Sequence, residues 1–125
     1  MPARLLIVDD ESSVVELLRR YLARLGHSVD TALNARQALT AFERAQGAYD
    51  LVIADLQLPD LNGEEMVRQM RSGRPSLKAL ISSGHPSPNA ASADPSMRQM
   101  FIQKPFLPQE LADRIGEILT SPESK

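Results

Sequence analysis

The sequence predicts an α/β domain built on a doubly wound, five-stranded parallel sheet with helices on both faces. Three observations predict it. Two unbroken apolar runs, residues 5–8 and 51–54, have the length of strands buried on both sides. Five strand-like runs alternate with stretches of helical period, as crossover connections between parallel strands require. The 125 residues suit one domain, which at this size buries roughly two-thirds of its unfolded surface and needs no covalent staple.

The elements follow in order. Leu5, Leu6, Ile7 and Val8 are continuous and β-capable, and Asp9 and Asp10 end them. Ser13 with Glu16 three residues on has capping-box spacing, so a helix is expected to start there. Val14, Val15, Leu18, Leu22 and Leu25 recur at helical intervals, and Gly26 stands where a left-handed cap belongs. Residues 28–33 alternate polar and apolar, the pattern of an edge strand. Asn34 with Gln37 forms a second N-cap pattern, Ala38, Leu39, Phe42 and Ala45 form the apolar stripe, and Gly47 stops the helix.

Leu51 to Ala54 run into Asp55, and Leu58, Pro59, Asp60, Leu61, Asn62 and Gly63 are turn chemistry. Helical spacing resumes from Glu64 to Met70 through Met66, Val67 and Met70. Leu77, Ala79, Leu80 and Ile81 give a fourth strand, ending in Ser82, Ser83 and Gly84. Pro86, Pro88 and Pro95 then crowd a segment in which proline's missing amide and its clash with the preceding turn forbid a regular helix. One or two helical turns are expected over 96–100 at most. Met100, Phe101 and Ile102 make a last strand leading to Lys104, Pro105 and Phe106. Pro108 suits the first turn of a final helix carrying Leu111, Ile115, Ile118 and Leu119 on one face. Residues 1–120 read as the domain and 121–125 as a polar tail.

Composition narrows the function. With no cysteine there is no disulfide framework, thiolate metal site or cysteine nucleophile. A formal charge of −2 argues against a nucleic-acid or membrane-surface partner bound through net basic charge. The longest early apolar run has four residues, too short for a signal-peptide core or a membrane span, so a cytoplasmic protein is expected.

In doubly wound sheets the ligand crevice lies beyond the carboxyl ends of the strands. Here Asp9, Asp10, Asp55, Ser83 and Lys104 stand at those ends. Carboxylates brought this close repel, and a hard divalent ion such as Mg²⁺ resolves the conflict. A lysine adds a point charge for a carboxylate or a phosphoryl oxygen. The set suits an aspartate nucleophile that accepts a phosphoryl group while cation and lysine neutralise its oxygens. Each piece has a plainer reading as well. Asp9 and Asp10 could simply start a helix, Asp55 end a strand and Lys104 lie on the surface, while preferring Ser83 to Ser82 rests on the following Gly84.

Taken together and in order, these residues resemble the receiver domain of two-component response regulators over essentially the whole chain. The matching pieces are Asp9-Asp10, Asp55, the loop Leu58-Pro59-Asp60 through Asn62-Gly63, Ser83-Gly84 and Lys104-Pro105-Phe106. The resemblance implies a flavodoxin-like strand order, 2-1-3-4-5. It implies that Asp55 is the phosphoacceptor, charged by a histidine kinase or a histidine phosphotransfer domain. Asp10 would bind Mg²⁺ directly and Asp9 through water, with Asp55 and the Gln57 backbone carbonyl completing the ligands. Lys104 would contact the phosphoryl group, Ser83 would move to hydrogen-bond it, and Phe101 would be the aromatic of the switch. Such a domain catalyses only its own phosphorylation and dephosphorylation. Its first helix, here with Arg19, Arg20 and Arg24, commonly docks the kinase, and His85 takes the family's variable position.

The chain departs from the family in the proline-rich segment and in lacking the glycine usual before the fifth strand, which leaves the output face and any dimer open. Two other classes compete. A pseudo-receiver would act by binding alone, yet it would be free to lose Asp55 or Lys104, and both are present. A phosphohydrolase of the haloacid dehalogenase type wants a second acid two residues after its nucleophile, where Gln57 stands. A stand-alone receiver, a phosphorelay intermediate and a part of a longer regulator or hybrid kinase all remain compatible.

Overall fold

Both apolar runs are strands with hardly any exposed surface, because each is covered on two sides. In the computed structural model, which describes residues 3–84 and 99–120, they are β1 (Arg4–Val8) and β3 (Leu51–Asp55). With β2 (Ser28–Ala32), β4 (Lys78–Ser83) and β5 (Gln99–Gln103) they form one parallel sheet in the order β2-β1-β3-β4-β5, as expected. Four helices are described: α1 (Ser12–Arg24), α2 (Ala35–Arg44), α3 (Gly63–Gly73) and α4 (Pro108–Thr120).

Alternation along the strands builds two cores. Leu6, Val8, Val52, Ala54, Ala79 and Ile81 face Ala38, Phe42, Met66 and Met70 of α2 and α3. Leu5, Ile7, Leu51, Ile53 and Leu80 face Leu18 and Leu22 of α1 and Ile115 and Ile118 of α4. Every second residue serves the opposite core, so the runs contain no polar position until the sheet edge. There Val8 stands opposite Ala54, Asp55 opposite Ser82 and Ser83 opposite Gln103. The register therefore brings the chemistry-bearing residues to one level.

Several element ends differ from the sequence reading. The first helix starts at Ser12, and no side chain hydrogen-bonds as its cap. The Ser13–Glu16 capping box does not form, because Glu16 is taken by Arg19 and Arg20, whose Nε atoms each lie 2.9 Å from its carboxylate. Hydrogen bonds from Arg19 and then Arg20 lower the pKa of this exposed carboxyl to about 2. Leu25 is exposed rather than part of the stripe, since the chain turns away at Gly26 (φ +100°). Gly26 N and His27 N then close on Ala23 O and Leu22 O, at 3.0 and 3.2 Å.

Asn34 caps α2 as expected, accepting from Gln37 N at 2.8 Å, while Gln37 Oε1 accepts from Leu33 N. The third helix runs on to Gly73. Gln99 and Met100 belong to β5 and not to a helical turn, because pairing with Ala79 and Leu80 satisfies the open edge of β4. The expectations for residues 85–98 and for the tail 121–125 lie outside the described residues. No helix among the described residues is long and apolar enough to cross a membrane.

His27 closes the turn after α1, and its Nδ1 accepts the Ala3 amide at 3.1 Å, which requires a neutral ring. Burial pushes its pKa below the ordinary histidine value. The unfolded chain therefore binds this proton first, so the stability is full above about pH 6.5 and falls as pH drops below it. Urea midpoints should decline between about pH 7 and 5.5, and His27→Gln should flatten that decline; an unchanged slope in the variant would contradict the assignment.

Candidate functional site

The site is assembled from strand ends. Asp9 follows β1, held by its amide on Ala32 O at 3.1 Å, and Asp55 closes β3. Their exposures are 5% and 9%, so both carboxylates need partners close at hand. Each places one oxygen on a backbone amide: Asp9 Oδ1 accepts from Glu11 N at 3.0 Å, and Asp55 Oδ1 from Gln57 N at 3.1 Å. The other oxygens share one ammonium, with Lys104 Nζ 2.9 Å from Asp9 Oδ2 and 3.0 Å from Asp55 Oδ2. Lys104 follows β5 and is fixed by its amide, which donates to Ser83 O at 2.7 Å; its bond to Pro105 is cis. Burial opposes the ammonium, but the hydrogen bonds and charges of Asp9 and Asp55 outweigh it, and its pKa is raised.

Asp10 is exposed and completes a cluster in which ligand oxygens of Asp9, Asp10 and Asp55 all lie within 4.8 Å of one another. The donors are all hard oxygens, and three carboxylates against one ammonium leave two negative charges over. The donor set thus fits a divalent cation of the Mg²⁺ kind. Gln57, exposed, has its backbone fixed between the Asp55 carboxylate and a bridge to Asn62. Ser82 and Ser83 are both buried; Ser82 stands opposite Asp55, and Ser83 lies one step nearer the rim. Phe101 is partly buried against the α2/α3 core, opposite Ile81. Asp9, Asp10, Asp55, Gln57, Ser83 and Lys104 thus stand at or beside one edge of the sheet, with Phe101 two residues inside the end of β5, while His85 lies outside the described residues.

Two supports went unseen in the sequence. A Cβ on Gly63 would lie 2.3 Å from the Asp55 carbonyl oxygen, so only glycine lets α3 start against the Asp55 backbone. Asp60 accepts Ala35 N at 2.9 Å and Arg36 N at 3.0 Å. The bond from Ala35 contributes most to holding its carboxyl below the usual range. A turn-rich sequence signals a glycine and an acid here, but neither contact.

With this fold and this acidic pocket, the chain belongs to the response regulator receiver domain family, whose sequence model matches residues 5–116. It is similar to the response regulator MprA of Mycolicibacterium vanbaalenii, with 36% identity over 121 residues, 95% of this chain and 51% of that protein. Among solved structures it resembles the chemotaxis response regulator CheY4 of Vibrio cholerae, with TM-score 0.83, 27% identity, and 95% and 100% of the two chains covered. It also resembles the response regulator TrrA of Thermotoga maritima in complex with Mg²⁺-BeF, with TM-score 0.76, 31% identity, and 94% and 99% covered. The chain spans about half the length or less of the curated relatives it matches. It is a receiver domain of two-component signalling.

The close approach at Gly63 is testable. Gly63→Ala should lower stability by about 1–3 kcal/mol in denaturant titrations, since backbone must move. Gly116→Ala, in α4 with nothing within 4 Å of the new methyl, should leave stability equal or raise it by about 0.4–1 kcal/mol. Equal effects at the two positions would refute the steric reading.

Proposed function

We propose that the domain is a phosphorylation-controlled switch in which Asp55 accepts a phosphoryl group from a histidine kinase or histidine phosphotransfer domain. The observation that carries this reading is a buried Asp55 carboxylate ion-paired to Lys104 beside two more carboxylates. A carboxylate oxygen of Asp55 forms the new bond to phosphorus as the phosphorus–nitrogen bond of the phosphohistidine breaks, and the imidazole leaves with the electron pair. Burial strips water from the nucleophile, and the Gln57 amide orients its other oxygen. Asp10 and Asp55 would hold Mg²⁺ directly, Asp9 through water, with the Gln57 carbonyl completing the protein's ligands. When bound, the ion supplies positive charge to the phosphoryl oxygens.

Lys104 then contacts a phosphoryl oxygen in place of the carboxylate oxygen it now holds. The Ser83 hydroxyl donates to another, and Phe101 turns inward as Ser83 moves. A local gain of negative charge thereby biases a two-state element, and the protein-binding face near β5 and α4 changes. Catalysis is confined to the domain's own acceptor. The cytoplasm, where kinases of this kind present their phosphohistidine, is the proposed setting.

Mass spectrometry after incubation with acetyl phosphate, with and without Mg²⁺, tests the reading. A Mg²⁺-dependent, hydroxylamine-labile phosphoryl group on Asp55 is expected, and Asp55→Asn should lose it while keeping the fold. A full label at another residue of the variant would overturn the acceptor, and no label from any donor or kinase would leave a domain that acts by binding alone. Lys104→Ala should impair switching, read as phosphorylation-dependent shifts near β5, more than Mg²⁺ affinity. Equal loss of both would remove its assigned role.

A further inference from the structure

The loop between β3 and α3 carries the Gln57 carbonyl, so whatever fixes this loop fixes one side of the cation site. Its two ends are tied close to β3 and β4: Gln57 N is on Asp55 Oδ1, Gln57 forms an isolated bridge with Asn62, Gly63 N donates to Leu56 O at 2.8 Å, and Leu56 N donates to Ser82 O at 2.8 Å. A further tie, in the middle of the loop, runs to a helix. Asp60, inside the loop, reaches the N-terminus of α2, where its two oxygens separately accept Ala35 N and Arg36 N across 25 and 24 residues of sequence.

A helix start leaves its first amides without partners within the helix, and the preceding residue's side chain ordinarily takes one of them. Asn34 does this for Gln37 N, and the Asn34 carbonyl accepts the first intrahelical bond, from Ala38 N. Ala35 N and Arg36 N remain, and a carboxylate from a different loop takes both. Such bonds are charge-assisted, and the positive end of the helix dipole favours the same carboxylate. Two bonds in fixed directions define where the middle of the loop lies relative to α2, which one bond would not. α2 itself is anchored by Ala35, Ala38 and Phe42 in the core. The acceptor loop is thereby referred to a rigid element.

We propose that Asp60 is a positioning residue of the acceptor site, clamping the loop to α2 so that the Gln57 carbonyl is preorganised for the divalent cation. This rests on the phosphoacceptor reading above. It differs from simple helix capping in one respect: a cap stabilises α2, whereas a positioning clamp also sets the cation affinity. Asn34 separates the two, because its side chain caps the same helix through Gln37 N and not through a hydrogen bond to the loop.

The test uses the full chain and Mg²⁺ alone, titrated by calorimetry, with thermal midpoints and acetyl phosphate labelling alongside. Asp60→Ala should weaken Mg²⁺ binding about 10-fold or more, in the range of lost outer-shell partners, and slow labelling of Asp55 in step. Asp60→Asn, which keeps one acceptor oxygen, should fall between, and it carries the test should Asp60→Ala not fold. Asn34→Ala should lower the thermal midpoint yet leave the Mg²⁺ affinity as in the wild type. Loss of stability in the Asp60 and Asn34 variants with wild-type Mg²⁺ affinity in both would reduce Asp60 to a cap and overturn the proposal. A wild-type protein that binds no Mg²⁺ and takes no label would overturn the phosphoacceptor reading, and this inference with it.

Discussion

One ammonium holds the functional edge of this protein together. Lys104 bonds Asp9 and Asp55 at once and so ties the ends of β1, β3 and β5, although β4 lies between β3 and β5. Only a long, flexible stem crosses a whole strand in this way, and the small residues Ser82, Ser83 and Gly84 at the end of β4 leave room for it. Arginine would not replace it simply, because its planar fork prefers one carboxylate in bidentate geometry to a point contact shared by two. Buried ion pairs of this kind add little net stability, since desolvation offsets much of the attraction. Their placement here is better explained by what the site must hold than by what the fold needs.

The rest of the architecture serves to bring these charges to one level. A parallel sheet presents every carboxyl end at the same edge, and its two covered faces keep polar residues out of the strands until that edge is reached. Leu5 to Val8 and Leu51 to Ala54 are apolar for the sake of the two cores, and the acids begin where the cores stop. The loop after Asp55 is then packed back against that residue. Gly63 gives up its side chain so that α3 can begin against the Asp55 carbonyl, and Asp60 secures the loop's far side to α2. Fold and site are therefore continuous: displacing α2 or α3 would displace the loop after Asp55.

The sequence was legible where the signal is local. An apolar run cut off by an acid marks both a strand end and a candidate site residue, which is why Asp9, Asp10 and Asp55 could be named before their contacts were known, and Lys104 by its place after the last strand. It misled where a local pattern met a stronger competitor. Ser13 and Glu16 have capping spacing, but two guanidinium groups outbid a backbone amide for the Glu16 carboxylate. It was silent where the cause is distant. Gln99 becomes strand through pairing with Ala79, and Asp60 looks like an ordinary turn acid until α2 arrives beside it. Ser82 and Ser83 show a finer limit, since both are buried and only the register separates their positions.

The charge balance of the pocket gives the proposed switch its direction. Lys104 is held more firmly protonated than a free lysine, so its charge is constant across neutral pH. Its contribution to stability is present below the ordinary lysine pKa and is lost only as pH rises through the still higher folded value. Three carboxylates against this single fixed charge create a standing demand for a cation, and a phosphoryl group on Asp55 would increase that demand. The same ammonium that balances the resting pocket would then face the phosphoryl oxygens. Its rearrangement, together with the Ser83 hydroxyl, would pull on the ends of β4 and β5, which are joined through the bond from Lys104 N to Ser83 O. Chemistry at Asp55 would thus be connected to the far side of the sheet through the β4–β5 pair, a mechanical path that needs no large rearrangement of either core.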